Sequence, residues 1–269
     1  MRILVALKYA ASGVSVDPLT GAISVDHRSS GLSAPDGAAL EVALSLSDQI
    51  TAVTVGPGEA DGMLRLAWAV GVNHLVRYPP GGREHAAVAI AREAADVDVV
   101  LCGDRSPDGG SGSVPALTAG LLGAAQALGC AAVRASGASS LEVDRRVDGG
   151  GIERLVLPSP AVVSVGPEAA HLRRAALGRF LAAVDAPIEV RTPMTPAIPT
   201  LSPVTSKPYR PRPKMIPMPD AASAEARIRV LLGETTATPG REEIRAPARE
   251  AAQAIYAKLV TYGYVRDSP

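Results

Sequence analysis

The sequence predicts an α/β fold: a mainly parallel twisted sheet with helices on both faces. Three observations predict it. Short apolar runs of strand length alternate with helical stretches through about residue 130. The hydrophobic fraction is 47% while aromatics are only 3%, so the core must be built from Ala, Val, Leu and Ile. A loop rich in Gly and Ser, "SPDGGSGS" from Ser106, lies between an apolar run and a helix start, the strand–loop–helix order that receives phosphate.

The elements follow in order. "ILVALK" has the length of a buried strand and is read as the first strand, not a signal peptide. "SAPDGAALEVALSLSD" opens with Ser33 and places Asp36 three residues later, a capping-box-like helix start, and Ala39, Leu40, Ala43 and Leu44 follow at helical spacing. "ITAVTVGPG" is a second strand closed by a turn, "ADGMLRLAWAVG" a short helix capped by Gly71, and "NHLVRY" a third strand. "EHAAVAIAREAAD" is an Ala-rich helix and "VDVVLCG" a fourth strand. Ligands of such sheets collect outside the carboxyl ends of the strands, where the loops after Ala6, Val55 and Leu101 lie.

Beyond about residue 130 the pattern changes. "LEVDRRV", "DGGG" and "IERLVLPSPAVVSV" predict a hairpin and a following strand, and 168–184 has a helical look interrupted by Gly178. Prolines recur from Pro193 to Pro219, which predicts an extended arm. The end is an amphipathic helix with Ala251, Ile255, Leu259 and Tyr262 on one face, in need of a surface on this chain or on a partner. The division expected is residues 1–190 as the α/β domain and 191–269 as arm and terminal helix.

Composition narrows the function. Lys+Arg and Asp+Glu are both 27, and no basic stripe suggests nucleic acid or an anionic membrane. No apolar stretch approaches the roughly 20 residues that span a bilayer. The two cysteines, Cys102 and Cys130, lack metal spacing and fit a reduced, cytoplasmic setting. The histidines are scattered and no nucleophile elbow is present, so the residues point to a carrier or binding subunit over a hydrolase. The glycine loop has two readings: N–H groups freed by Gly109, Gly110 and Gly112 cradle a phosphate, or the glycines only let a loop turn. Lys8, at the end of the first strand, reaches an anion at the ligand edge or is merely solvated.

"VDRRVDGGGIERLVLPSPAVVS" resembles the signature of electron transfer flavoprotein beta subunits, in Arg145, Asp148, Gly149, Gly150, Glu153, Pro160, Val162, Val163 and Ser164. "ILVALK" with Lys8 is similar to that family's first strand, and "SAPDGAALEVAL" retains its Asp36, Ala39, Leu40 and Glu41. "VDVVLCGDRSPDGGSGSVPALTAGLLG" aligns on the loop that encloses an adenine nucleotide, and "HLRRAALGRFLAAVDAPIEV" on the family's recognition loop, with Leu177 on its anchoring leucine. The resemblance implies an adenine-nucleotide-binding, Rossmann-like fold and an electron-carrier subunit that is not itself an enzyme. It implies a partnership with an alpha subunit holding most of the FAD contacts, and transfer of electrons from a flavoprotein dehydrogenase toward a membrane quinone reductase. The cofactor residues it implies are Ala6, Lys8, Ser33, Asp36, Val55, Gly103, Asp108, Gly109, Gly110, Ser111, Gly112, Ser113 and Val114. The partner residues are Leu177, Arg173 and Arg174. The second nucleotide site of the family takes AMP or a second FAD, and here AMP, FAD and no nucleotide all stay open.

The departures are specific. Asp108 stays, but Gly110, Ser113 and Pro115 stand where the family has a second acid, Gln and Gly, and Pro115 removes an N–H donor. The hydroxyls of Ser111 and Ser113 remain available to a phosphate. Ser12-Gly13 replaces an Asp-Tyr pair, His171-Leu172-Arg173 replaces acid-Pro-Arg, and "LAAVDA" replaces a lysine cluster. These imply a divergent branch with a dehydrogenase partner outside the acyl-CoA class. The tail resembles actinobacterial members, including those found with mycofactocin systems. The alternative from another class is a stand-alone nucleotide-binding regulatory α/β domain without flavin.

Overall fold

The computed structural model describes residues 1–137, 140–192, 223–232, 245–262 and 264. The first strands and helix are β1 (Arg2–Ala6), β2 (Tyr9–Ala10), β3 (Gly13–Val16), β4 (Ile23–Asp26), β5 (Gly31–Leu32) and α1 (Ala34–Leu46). Then come β6 (Gln49–Val55), α2 (Asp61–Val70), β7 (His74–Tyr78), α3 (Arg83–Glu93), β8 (Val99–Gly103) and α4 (Ser113–Leu122). The extension holds β9 (Ala125–Ala135), β10 (Ser140–Arg146), β11 (Ile152–Pro158) and β12 (Ala161–Val165), followed by α5 (Leu177–Ala182) and β13 (Glu189–Val190). The last helices are α6 (Ala224–Leu231) and α7 (Ala248–Thr261). The chain divides into two compact units, Met1–Tyr209 and Arg210–Pro269.

The first unit is built on a nine-stranded sheet in the order β11-β10-β9-β12-β8-β1-β6-β7-β13. The pairs from β9 across to β13 are parallel, and the β9-β10-β11 edge is antiparallel. The central strands are covered on both faces, which is why they read as unbroken apolar runs. Ile3 and Val5 turn to one face and join Leu40, Leu64 and Leu101 in one core cluster. Leu4 and Ala6 turn to the other and join Ile90, Val100 and Ala119. Thus α1 and α2 cover one face and α3 and α4 the other, the arrangement the alternating sequence predicts.

The start of α1 also follows the sequence. The Ser33 hydroxyl accepts from the Asp36 N–H at 3.3 Å and donates to Asp36 Oδ2 at 2.9 Å. The "DGGG" turn joins β10 to β11 in register, Arg145 opposite Glu153.

Three regions differ from the sequence reading. Residues 9–32 carry two small antiparallel pairs, β2-β5 and β3-β4, that the polar stretch there does not announce. The Ala-rich run 125–135 is a strand, β9, not an end of the alternating pattern. Its buried Ala127 and Cys130 are spaced by three because a bulge shifts the register against β12, which hides the strand period. The helical look of 168–184 shrinks to α5 and a following 3-10 turn, Ala183–Asp185. The backbone N–H of Arg173 donates to Glu41 Oε2 at 3.0 Å, so that stretch is tied to α1 and not wound into a helix.

The Pro-rich arm lies outside the described residues. In the second unit α7 forms as expected, with Ile255, Leu259 and Tyr262 exposed along it. Among the described residues no helix is long and apolar enough to cross a membrane.

Candidate functional site

The sheet order reverses at β1: the chain passes from β1 to β6 and β7 on one side, then crosses to β8 on the other. That reversal opens a crevice at the carboxyl ends of β1 and β8, the position where doubly wound sheets hold ligands. A cavity of about 440 Å³ lies there. Of the residues the sequence picks out, Ala6, Lys8, Asp36, Val55, Gly103, Gly109, Ser111, Gly112, Ser113 and Val114 line it. Ser33, Asp108 and Gly110 do not. Each acts from behind the wall: Ser33 through Asp36, Asp108 through Lys8, and Gly110 by closing a turn onto the Ser106 carbonyl at 2.9 Å.

Sequence reasoning missed the far wall, where Gly81, Gly82, Arg83 and Ile90 approach from α3. The "GG" ahead of an Ala-rich helix was the available signal, since it repeats the strand–glycine–helix order of the first loop.

Asp36 ties the floor of the crevice. It is 6% exposed and receives N–H donors from two strand ends, Lys8 N at 3.3 Å on Oδ2 and Gly103 N at 3.1 Å on Oδ1. Burial pushes its carboxyl up to about 6, against these hydrogen bonds and the one from Ser33. Gly103 is the point of closest approach: a Cβ there would lie 2.7 Å from Asp36 Oδ1.

Lys8 and the glycine loop form the mouth. The Lys8 ammonium donates to Ser106 Oγ at 3.1 Å and to Asp108 Oδ1 at 2.5 Å. Burial pushes Asp108 up, but the hydrogen bonds from Lys8 and Ser106 outweigh it and hold the carboxyl below its ordinary range. An ammonium has three donors, so one stays available to a ligand. Gly112 sits at the N-cap of α4 in the left-handed region, φ 58°, and a Cβ there would lie 2.6 Å from the Asp104 carbonyl oxygen. Only glycine lets the loop turn into the helix this closely. Ser113 and Val114 then open α4, where first-turn N–H groups have no intrahelical acceptor. Asp104 adds a buried oxygen, Oδ1, with no hydrogen-bond partner among the described residues. The mouth thus offers backbone donors and one ammonium proton to an anion, and one carboxylate oxygen to a hydroxyl or amine.

Cys102 is a core thiol, as read from the sequence. Its Sγ donates to the Val163 carbonyl at 3.7 Å, and burial pushes its pKa far up. Cys130 is likewise buried and unbridged. Among the described residues no group of His, Cys, Asp and Glu is placed to hold a metal ion.

The second candidate site is α5. Leu177 opens it and is 73% exposed, beside exposed Phe180, Leu181 and Val184. Arg174 is exposed near it. Arg173 is half-exposed and paired within the chain. It forks onto Glu41, Nη2 to Oε1 at 2.7 Å and Nε to Oε2 at 2.9 Å. Burial pushes the Glu41 carboxyl up, but the Arg173 hydrogen bonds outweigh it and hold it below the usual range.

Fold and crevice together define a doubly wound α/β protein with its cleft at the topological switch point. A family model described as the electron transfer flavoprotein domain matches residues 22–215. The chain is 30% identical over 211 residues to the electron transfer flavoprotein subunit beta of Homo sapiens, across 72% of this chain and 82% of that protein. It is 29% identical over 167 residues to the subunit of the same name from Bradyrhizobium diazoefficiens, across 58% of this chain and 66% of that one. The chain belongs to the electron transfer flavoprotein family and is similar to its beta subunits.

Proposed function

We propose that this chain works as one half of a heterodimeric electron carrier. It pairs with an alpha subunit that holds most of the FAD contacts. The pair takes electrons from a flavoprotein dehydrogenase and delivers them toward a membrane quinone reductase. The flavin supplies the redox chemistry when bound, and this chain's residues bind, orient and dock. A cytoplasmic setting goes with the reading, since both cysteines are buried and unbridged.

The observation that carries the reading is the cleft. At the switch point it combines a glycine turn, the start of α4 and the Lys8 ammonium, the set that receives a nucleotide phosphate. The N–H groups of Ser113 and Val114 and the third Lys8 proton would hold the phosphate. Asp104 Oδ1 would accept from a sugar hydroxyl, and Val55, Ile90 and Val114 would face the base. At about 440 Å³ the cavity is at the small end of ligand sites, which favours AMP over a dinucleotide. The exposed Leu177 would enter an apolar pocket on the dehydrogenase.

The test is co-expression with an alpha subunit of the family. The expected product is a yellow 1:1 complex that releases FAD and AMP on acid extraction. A colourless homodimer that binds ATP or AMP in titration calorimetry and ignores the alpha subunit contradicts the reading, and supports the stand-alone regulatory domain instead.

A further inference from the structure

α5 is amphipathic in the inverted sense. Leu177, Phe180, Leu181 and, in the turn after it, Val184 recur at the i, i+3, i+4, i+7 spacing of one helical face. They are 73, 55, 65 and 69% exposed. Phe180 is the one phenylalanine of the chain, and it is spent on this surface. The opposite side of the segment holds Arg179 and the buried Ala183.

Such a segment needs an explanation for staying in place. Isolated helices below about 12–15 residues are marginal in water, and α5 has six residues, none of them buried. An apolar face turned to solvent adds nothing to its attachment. Two small residues downstream, Ala183 and Ala186, are buried against the body. Leu172 and Ala175 ahead of the helix and Ile188 after it pack, partly buried, against the core, and two arginines add polar attachments. Arg173 grips Glu41 of α1 just before the helix, with Nη2 to Oε1 at 2.7 Å. Arg179 lies in the helix itself: its guanidinium carbon is 5.1 Å from the centroid of the Trp68 ring, and its Nη2 donates to the Trp68 carbonyl at 3.0 Å. Trp68 is a firm platform, because Met63, Leu64 and Ala67 of the same helix α2 are buried in the core. A guanidinium suits this position, since its plane can stack on an indole while an edge N–H reaches a carbonyl.

We propose that Arg173 and Arg179 form a clamp that presents α5 with its apolar face outward, and that Arg179 is a positioning residue for docking. The docking half of this rests on the reading of Leu177 given above; the clamp half does not. The two arginines set where the stripe stands, and the partner meets Leu177 and Phe180 at a fixed place without first ordering them.

The test uses the full chain carrying Arg179→Ala, Arg179→Lys or Trp68→Phe. Trp68 is the sole tryptophan, so its emission reports the contact without a label. Arg179→Ala is expected to shift that emission and to speed hydrogen exchange of the 177–186 amides about tenfold. Exchange of the β1 and β8 amides stays as in the parent. Arg179→Lys, which restores the cation, recovers part of the protection, and Trp68→Phe, which restores a ring, keeps most of it. Unchanged exchange in Arg179→Ala overturns the clamp. In the complex with the alpha subunit, Arg179→Ala is expected to raise KM for the donor dehydrogenase with kcat retained. If Leu177→Ala slows transfer and Arg179→Ala leaves KM unchanged, the positioning role is overturned. If neither changes transfer, the docking reading fails while the exchange result still decides the clamp.

Discussion

The switch-point cleft and the α5 segment handle their side chains in opposite ways. In the cleft, polar groups turn inward and bind one another: Asp36 gathers the ends of β1 and β8, and Lys8 bridges Ser106 and Asp108. At α5, apolar groups turn outward and arginines turn in. The first arrangement prepares donors for a small anion and is stabilised by burial around it. The second leaves apolar area in water, which this chain alone gains nothing by doing. On the proposed reading, a small ligand and a protein partner would be met by two different surfaces of one fold, and each could be altered without the other.

The largest expected effect is on the cleft. Gly112→Val places a branched side chain at φ 58° and drives Cβ toward the Asp104 carbonyl, 2.6 Å away. We expect a loss of about 3 kcal/mol in denaturant unfolding, together with loss of bound AMP from the complex. Next is Leu177→Ala. Its side chain is exposed, so melting should not move, and flavin content should stay constant. Electron transfer from the dehydrogenase should fall about 30-fold, the kinetic equivalent of a docking hot spot of about 2 kcal/mol.

Asp36→Asn tests the floor of the cleft and carries a pH signature. An amide cannot accept from both the Lys8 and Gly103 N–H groups without turning its own donor toward one of them. The cost should be about 1–2 kcal/mol at neutral pH, although a buried charge is removed. Because burial raises the native carboxyl to about 6, the folded state holds the proton more tightly than the unfolded chain between its ordinary value of 3.8 and that pKa. Stability contributed by Asp36 therefore rises as pH falls through 6 toward 4. The gap between parent and variant should widen over that interval, and urea titrations at several pH values would measure it. Lys8→Ala is expected to cost little stability. Its ion pair with Asp108 is half exposed on the lysine side, so unfolding should change by less than about 1 kcal/mol, while AMP retention drops.

Much of the cleft was legible in the sequence because it depends on local signals. Ser33 and Asp36 declare a cap, "ILVALK" and "VDVVLCG" declare doubly covered strands, and the glycines at 109, 110 and 112 declare a turn before a helix. What was not legible depends on distant partners. Arg83 and Ile90 reach the cleft only because α3 folds over that face of the sheet. β9 escaped because Ala is a weak strand former and its bulge breaks the period of two. The outward Leu177 agrees with its place on the anchoring leucine of the resemblance, but Phe180, Leu181 and Val184 beside it were not singled out, because their spacing is that of any amphipathic helix. Arg173 meets Glu41 and Arg179 meets Trp68, partners more than a hundred positions earlier, and Ala183 and Ala186 are buried on the side away from the stripe. Arg173, expected at a partner, also pairs with Glu41 inside the chain, a contact its distance in sequence did not announce.

The central claim is that this polypeptide is a cofactor-holding half, complete only with its sister subunit. Acid extraction of the complex purified through an alpha-subunit tag, with the released nucleotides separated by chromatography, tests it most directly. The account requires one FAD and one AMP for each pair of chains. A tagged alpha subunit that comes off the column alone, with this chain folded elsewhere and free of flavin, would contradict it.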